Sequence, residues 1–397
     1  MPAVVERPRR VAVRAARLFD SVSATIRRRP LLIVDGPTLA TVDFGVDPPP
    51  DSELHDLGDV TLLPGLVDAH LHLAFDASPD PAGALAARSD DEATAAMTVA
   101  ARTAAQAGLT TVRDLGDRGY RSLGLRGADD LPTILAAGPP LTRPDGHCHY
   151  LGGCVAPGPG GMRAAVREHA ERGVDVVKIM ASGGTLTPGT YQHEPQFEVA
   201  ELRAAVDEAH RLGLPVTAHA HATAAIVNAL DAGVDGIEHV TFWTQDSVES
   251  PPEVLDRIAR CGVAVGATLG VRPPVAGTPG PPMAVAARVP LMIANIGRLY
   301  QAGARIAPGS DGGIGPAKPH DVLPHAAAML ARAGVPAAEC LALLTRGAAE
   351  GCGLGDRKGR LAAGYDADVL AVAGDPTTEP AALHEVRAVY LRGRRIR

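Results

Sequence analysis

Between residues 63 and 350 the chain alternates short apolar runs with longer segments whose apolar residues recur every three or four positions. The short runs are GLVDAHLHL (65–73), TTVRDLG (110–116), PTILAAG (132–138), VDVVKIMASGG (174–184), LPVTAHAHA (214–222), GVDGIEHV (233–240), GVAVGATLG (262–270) and GARIAPGSDGG (303–313). Their length and flanking glycines predict buried strands. The longer segments predict amphipathic helices. In 198–213, Val199, Leu202, Val206, Ala209 and Leu212 fall on one helical face. Segment 90–108 has the same character, and several such segments end on the glycine that opens the next strand. Eight strands separated by helices predict a parallel sheet, and eight is the number that closes a (β/α)8 barrel. The run 117–130 is too short and glycine-rich for a full helix, so one barrel helix is expected to be missing. The stretch 271–282 predicts a long irregular loop after the seventh strand.

Outside this block the period changes. Residues 1–62 and 358–397 carry short alternating strands with turns. They predict a small β-sandwich domain built from both chain termini, around an α/β TIM-like barrel over 63–357. VAVRAARLFD (11–20) reads as one first strand with basic residues on its wet face. The arginine-rich start lacks the apolar core of a secretory signal.

Composition narrows the function classes. A formal charge of −7 gives no nucleic-acid footprint. No apolar run approaches a membrane span. A small-molecule substrate is therefore expected, with homo-oligomerisation left open. Five cysteines without CxxC spacing fit idle thiols in a reducing cytoplasm. Of the 38 basic residues only three are lysines, and one of them, Lys178, stands in the middle of a predicted buried strand. An unpartnered ammonium is costly there.

The predicted strand ends collect metal-ligating residue types. His70 and His72 stand at i, i+2, so their imidazoles share one face of a strand and can bind one ion. His219 and His221 close the fifth strand, His239 the sixth, and Asp311 the eighth. In a (β/α)8 barrel such ends form the catalytic mouth.

The motifs PGLVDAHLHL, VVKIMASGG, TAHAHA, GIEHV and PGSDGG together resemble the amidohydrolase superfamily, in its binuclear imidazolonepropionase-like and prolidase-like branch. GRLAAGYDADVLAVAGDP resembles that family's returning sandwich strands. The resemblance implies two divalent metal ions, with Zn2+ the expected one. His70, His72 and Asp311 would bind the more buried ion, and His219 and His239 the second. Lys178, carboxylated by CO2, would bridge them. His221 matches no usual ligand position and is expected to orient substrate. The physical logic fits: burial and nearby cations lower a lysine pKa, and the neutral amine can then take up CO2. The carbamate has two oxygens that can span ions about 3.5–4 Å apart. Arginine stays protonated and cannot follow. The expected nucleophile is a metal-bridging hydroxide, with Asp311 as general base and then acid.

The loops after the strands should choose the substrate. In HCHY (147–150), His147 or His149 is placed to bind a carbonyl oxygen or carboxylate. In TYQHEP (190–195), Tyr191 is placed to polarise the scissile carbonyl. Arg118, Arg121, Lys318 and His320 are further carboxylate-binding candidates, and Asp114 either anchors a loop or acts. The resemblance implies hydrolysis of an amide bond, in a dipeptide or N-acyl amino acid. Lactone, ester or phosphotriester cleavage by the same centre is the alternative. Deamination is disfavoured, because family deaminases use one metal, lack the bridging lysine, and carry a glutamate that HAHATAAI does not supply. A non-catalytic scaffold is disfavoured by the complete ligand set.

Overall fold

The computed structural model describes residues 10–273 and 283–397, so most of the loop expected over 271–282 lies outside the described residues. The central block contains two parallel sheets. One joins Leu66–Leu71, Leu109–Asp114 and Thr133–Ala136. The other joins Val177–Met180, Val216–Ala222, Gly236–Trp243, Ala264–Gly266 and Arg305–Ile306, in that order. Backbone bonds connect the sheets at both sides. Leu141 N donates to Lys178 O at 2.8 Å, and Asp311 N donates to His70 O at 2.7 Å. All eight expected strands are present, most of them shorter than the apolar runs that predicted them, while the sixth keeps eight residues but is shifted to Gly236–Trp243. The eighth keeps only Arg305–Ile306, because Pro308 and the glycines of PGSDGG follow at once.

The helices follow their sequence signals. Asp90–Gln106 opens with a reciprocal Ser89–Glu92 capping box. Val199–Arg211 buries Leu202, Val206 and Ala209, the predicted face. After the second strand there is only a 3-10 turn, Arg121–Leu125, as the glycine-rich run implies. The core between helices and strands is built largely from alanine, valine, leucine and isoleucine, in line with an aromatic content of 3%.

Strands from both ends of the chain share one sheet. Val369–Ala373 pairs antiparallel with Val60–Pro64 on one side and Val386–Leu391 on the other. VAVRAARLFD is corrected from one strand to two. Val11–Arg14 belongs to a four-stranded sheet, and Arg17–Asp20 to the six-stranded sheet that holds Val60–Pro64. Ala15 and Ala16 carry the chain across, which lets Val13 and Leu18 reach the same core with Leu62, Val369 and Tyr390. Arg14 meets Asp56 on the outside at 2.7 Å. All five cysteines are free, and among the described residues no helix is long and apolar enough to cross a membrane.

Candidate metal centre

Strand register brings the candidate ligands together. Lys178 stands opposite Thr217, His219 opposite Glu238, and Ala220 opposite His239. A regular strand would turn the neighbours Glu238 and His239 to opposite faces. The backbone departs from that pattern with φ of 72° at His239 and 49° at Val240. Asp311 is likewise left-handed, at 57°. Non-glycine residues held there cost about 1–3 kcal/mol each, and such strain concentrates at functional sites.

Two ligand sets result. In the first, His72 Nε2 lies 3.3 Å and His70 Nε2 3.6 Å from Asp311 Oδ1, and the two imidazole Nε2 atoms are 3.3 Å apart. In the second, His219, His221 and His239 present nitrogens within 4.8 Å of one another. The His219 and His239 rings stand at 76°, so their in-plane lone pairs can converge on one ion. The His221 ring stacks on that of His239, with centroids 4.3 Å apart and planes at 21°. The nitrogens turned away from the ligand sets are anchored. His219 Nε2 meets Gly183 O at 3.0 Å, His239 Nδ1 meets Thr268 Oγ1 at 2.9 Å, and His221 Nδ1 meets Thr241 Oγ1 at 2.7 Å.

Lys178 is 1% exposed, and among the described residues its Nζ has no hydrogen-bond partner. Burial lowers its pKa to about 8, against the pull of Glu238 and Asp311. An orphaned, easily neutralised amine beside two imidazole-rich sets is the donor chemistry that divalent ions and a carbamate require. The residues present therefore fit a pair of divalent ions.

Burial also keeps the histidines neutral. The pKa falls to about 4 at His70 and His221 and to about 3 at His147, and well below the ordinary value at His219 and His239. Burial would raise Asp311, but His72 and His70 hold its carboxyl well below the usual range. Asp114 goes the other way, to about 7, through burial and the Asp117 charge. Its Oδ1 accepts from Leu73 N at 3.4 Å, an anchoring role for the first strand's end.

The imidazole shifts carry a pH prediction for the metal-free protein. Folded pKa values below the ordinary 6.5 mean that the unfolded chain binds more protons between about pH 4 and 6.5. Stability is then full above that window and falls as the pH drops through it. Chelator-treated protein should show a Tm that declines steeply from pH 6.5 to 4. An unchanged Tm across that range would contradict the neutral, buried histidine cluster.

The other candidates divide. His147 is buried at 4% exposure, with its ring 4.9 Å from that of His219 and its Nδ1 unpaired. Gln196 Oε1 accepts from its backbone N at 2.7 Å. Gly184 gives it room, since a Cβ there would lie 2.3 Å from His147 Nε2. His320 Nε2 donates to His72 O at 3.1 Å and so supports the first strand's end. His149 is tied through Nδ1 to Gly146 O at 3.0 Å, and Tyr191 is 53% exposed beside His193. Arg118 is not a free carboxylate binder. Its donors go to Arg88 O at 2.9 Å and Leu85 O at 3.3 Å, with Asp90 at 3.5 Å, because the loop after the short helix Pro81–Ala87 needs its carbonyls satisfied. Arg121 pairs with the same Asp90 at 2.5 Å, and Lys318 donates to Ser310 O at 2.6 Å.

Two buried residues escape the sequence reading. Glu238 accepts from His70 Nδ1 at 2.9 Å and pairs with Arg113 at 2.9 Å. Burial would raise the Glu238 pKa, but Arg113 and His70 hold it well below the carboxylate range. The charged letter beside His239 in GIEHV was the available signal, and strand alternation argued against it.

Comparison with known proteins places the chain in a family. The sequence profile described as "Amidohydrolase family" matches residues 61–396. An uncharacterised protein of Mycobacterium tuberculosis (strain ATCC 25618 / H37Rv) is 31% identical over 350 residues, covering 84% of each chain. Ochratoxinase of Aspergillus niger is 28% identical over 375 residues, covering 83% of this chain and 73% of the relative. The crystal structure of a Xaa-Pro dipeptidase with bound methionine in its active site superposes with a TM-score of 0.85 at 27% identity, covering 97% of this chain and 99% of the other. The chain belongs to the amidohydrolase family and is a metal-dependent hydrolase acting on C–N bonds.

Proposed function

We propose that this protein is a two-metal hydrolase that cleaves the amide bond of a dipeptide or N-acyl amino acid. The observation that carries the reading is the buried, unbonded Lys178 amine beside two sets of ligand side chains. The eight parallel strands form one closed barrel over 63–357, with 1–62 and 358–397 as the composite β-sandwich. His70, His72 and Asp311 would hold one ion and His219 and His239 the other, with Lys178 beside both sets. The neutral Lys178 amine adds to CO2, forming an N–C bond and releasing one proton to solvent, and the anionic carbamate replaces an ammonium the site cannot solvate. Zn2+ is the ion that imidazole and carboxylate donors of this number suit. Bound ions supply a Lewis acid for the scissile carbonyl and an acidified water at neutral pH.

The chain's own residues do the rest. Asp311, kept ionised, accepts a proton from the nucleophilic water at its carboxylate and delivers it to the leaving amine. His221, set beside the second ligand pair with its Nδ1 fixed by Thr241, offers Nε2 to substrate. His147 offers a buried, unpaired ring nitrogen to a carbonyl or carboxylate oxygen. Similarity to a Xaa-Pro dipeptidase and to the ochratoxinase of Aspergillus niger supports the substrate class.

Metal-loaded protein assayed against dipeptides, N-acyl amino acids and lactones tests the reading. Turnover of the first two classes well above the third is expected, and turnover of lactones alone would overturn the amide assignment. His147→Ala should lower kcat/KM by about 10- to 100-fold through one lost hydrogen bond to a charged or polarised oxygen, with metal content unchanged. Loss of metal in that variant would instead make His147 part of the metal site.

A further inference from the structure

Beneath the first ligand set lies a buried polar network that spans four strands. Glu238, 0% exposed, uses one oxygen for His70 Nδ1 at 2.9 Å. The other accepts from Arg113 at 2.9 Å and from Thr217 Oγ1 at 2.5 Å. Arg113 Nε donates in turn to Ala69 O at 2.7 Å, the residue before His70. Space is reserved for the carboxylate. Gly266 stands opposite Glu238 on the next strand, and a Cβ there would lie 1.8 Å from Oε2.

The other candidate imidazole ligands turn their second nitrogen to neutral partners. His219 meets a carbonyl and His239 a hydroxyl, while His72 Nδ1 lies 3.5 Å from Gly116 O. Among the described residues, His70 alone of these four meets a charged group there.

We infer that Glu238 is a positioning residue that fixes the His70 proton on Nδ1 and so keeps Nε2 free for the first metal ion, with Arg113 and Thr217 holding the carboxylate in place. A neutral imidazole has one N–H, and an ionised carboxylate can only accept, so the proton lies between them. A carboxylate behind a ligating histidine fixes its tautomer and strengthens it as a donor to metal. The inference rests on the two-metal reading for its consequence, but not for the tautomer.

Glu238→Gln gives a sharp test. Arg113 and Thr217 both donate toward the same oxygen position, so the amide oxygen takes that place and the NH2 faces His70. Nδ1 must then accept, the proton moves to Nε2, and the ligand lone pair is lost. Nitrogen-15 NMR of histidine-labelled, metal-free protein reads the tautomer directly. The wild type should carry the His70 proton on Nδ1 and Glu238→Gln on Nε2. Chelator competition with Zn2+ should show the first ion bound about 10- to 100-fold more weakly in Glu238→Gln, as for other outer-shell partners. Thr268→Val should weaken the second ion instead. A wild-type His70 protonated on Nε2 overturns the inference without any variant needing to fold. So does a Glu238→Gln protein that keeps both tautomer and affinity within about threefold. Fewer than two ions on the wild type would defeat the two-metal reading, while the tautomer measurement would still decide the role of Glu238.

Discussion

Lys178→Ala should lower kcat/KM by about 10³-fold or more, the scale expected when a residue that works as part of a catalytic unit is removed. The reason lies in what the amine does where it is. At 1% exposure and without a hydrogen bond, it contributes little as an ammonium. A pKa of about 8 in place of 10.5 leaves a substantial neutral fraction at mildly alkaline pH, and only the neutral amine takes up CO2. In the proposed mechanism, removing it deletes the shared anionic bridge while the other candidate ligands stay in place. Small carboxylic acids such as formate or acetate should then restore part of the activity, because they can occupy the vacated space and offer the same two oxygens. Lys178→Arg should be as inactive and beyond rescue, since a guanidinium fills the space and keeps its charge. Equal rescue of both variants, or near-normal activity in either, would contradict a bridging role.

Asp311→Asn should be the second most damaging change. General acid–base catalysis contributes about 10²- to 10⁴-fold, and the amide removes it while keeping the side chain's shape. The left-handed backbone at Asp311 tolerates asparagine better than most residues, so the fold should survive. Because Asp311 also belongs to the first ligand set, activity must be read at saturating metal. At saturation the loss should persist in kcat, with KM little changed. Full recovery of kcat on adding metal would reduce Asp311 to a ligand.

Much of this architecture was legible in the residues. The HxH pair and the aspartate in PGSDGG, read from the sequence as ligand types at strand ends, come within 4.8 Å of one another in the fold. Legibility failed where local rules bend. Period-two alternation sets Glu238 against His239, and only the positive φ at His239 and Val240 lets both act from one strand. VAVRAARLFD has no turn residue at its middle, yet it crosses between sheets because each half finds a different partner strand. Arg118 has the look of a substrate-binding arginine, but nearby carbonyls claim its donors, and such claims depend on distant chain that no short motif encodes.

The central claim is that Lys178 is carboxylated and joins two ions. Protein prepared with Zn2+ and 13C-labelled bicarbonate should bind two ions per chain by mass spectrometry of metals. It should also show one carbamate carbon resonance by NMR that is absent from Lys178→Ala. An unmodified Lys178 in fully metal-loaded, active protein would contradict the account.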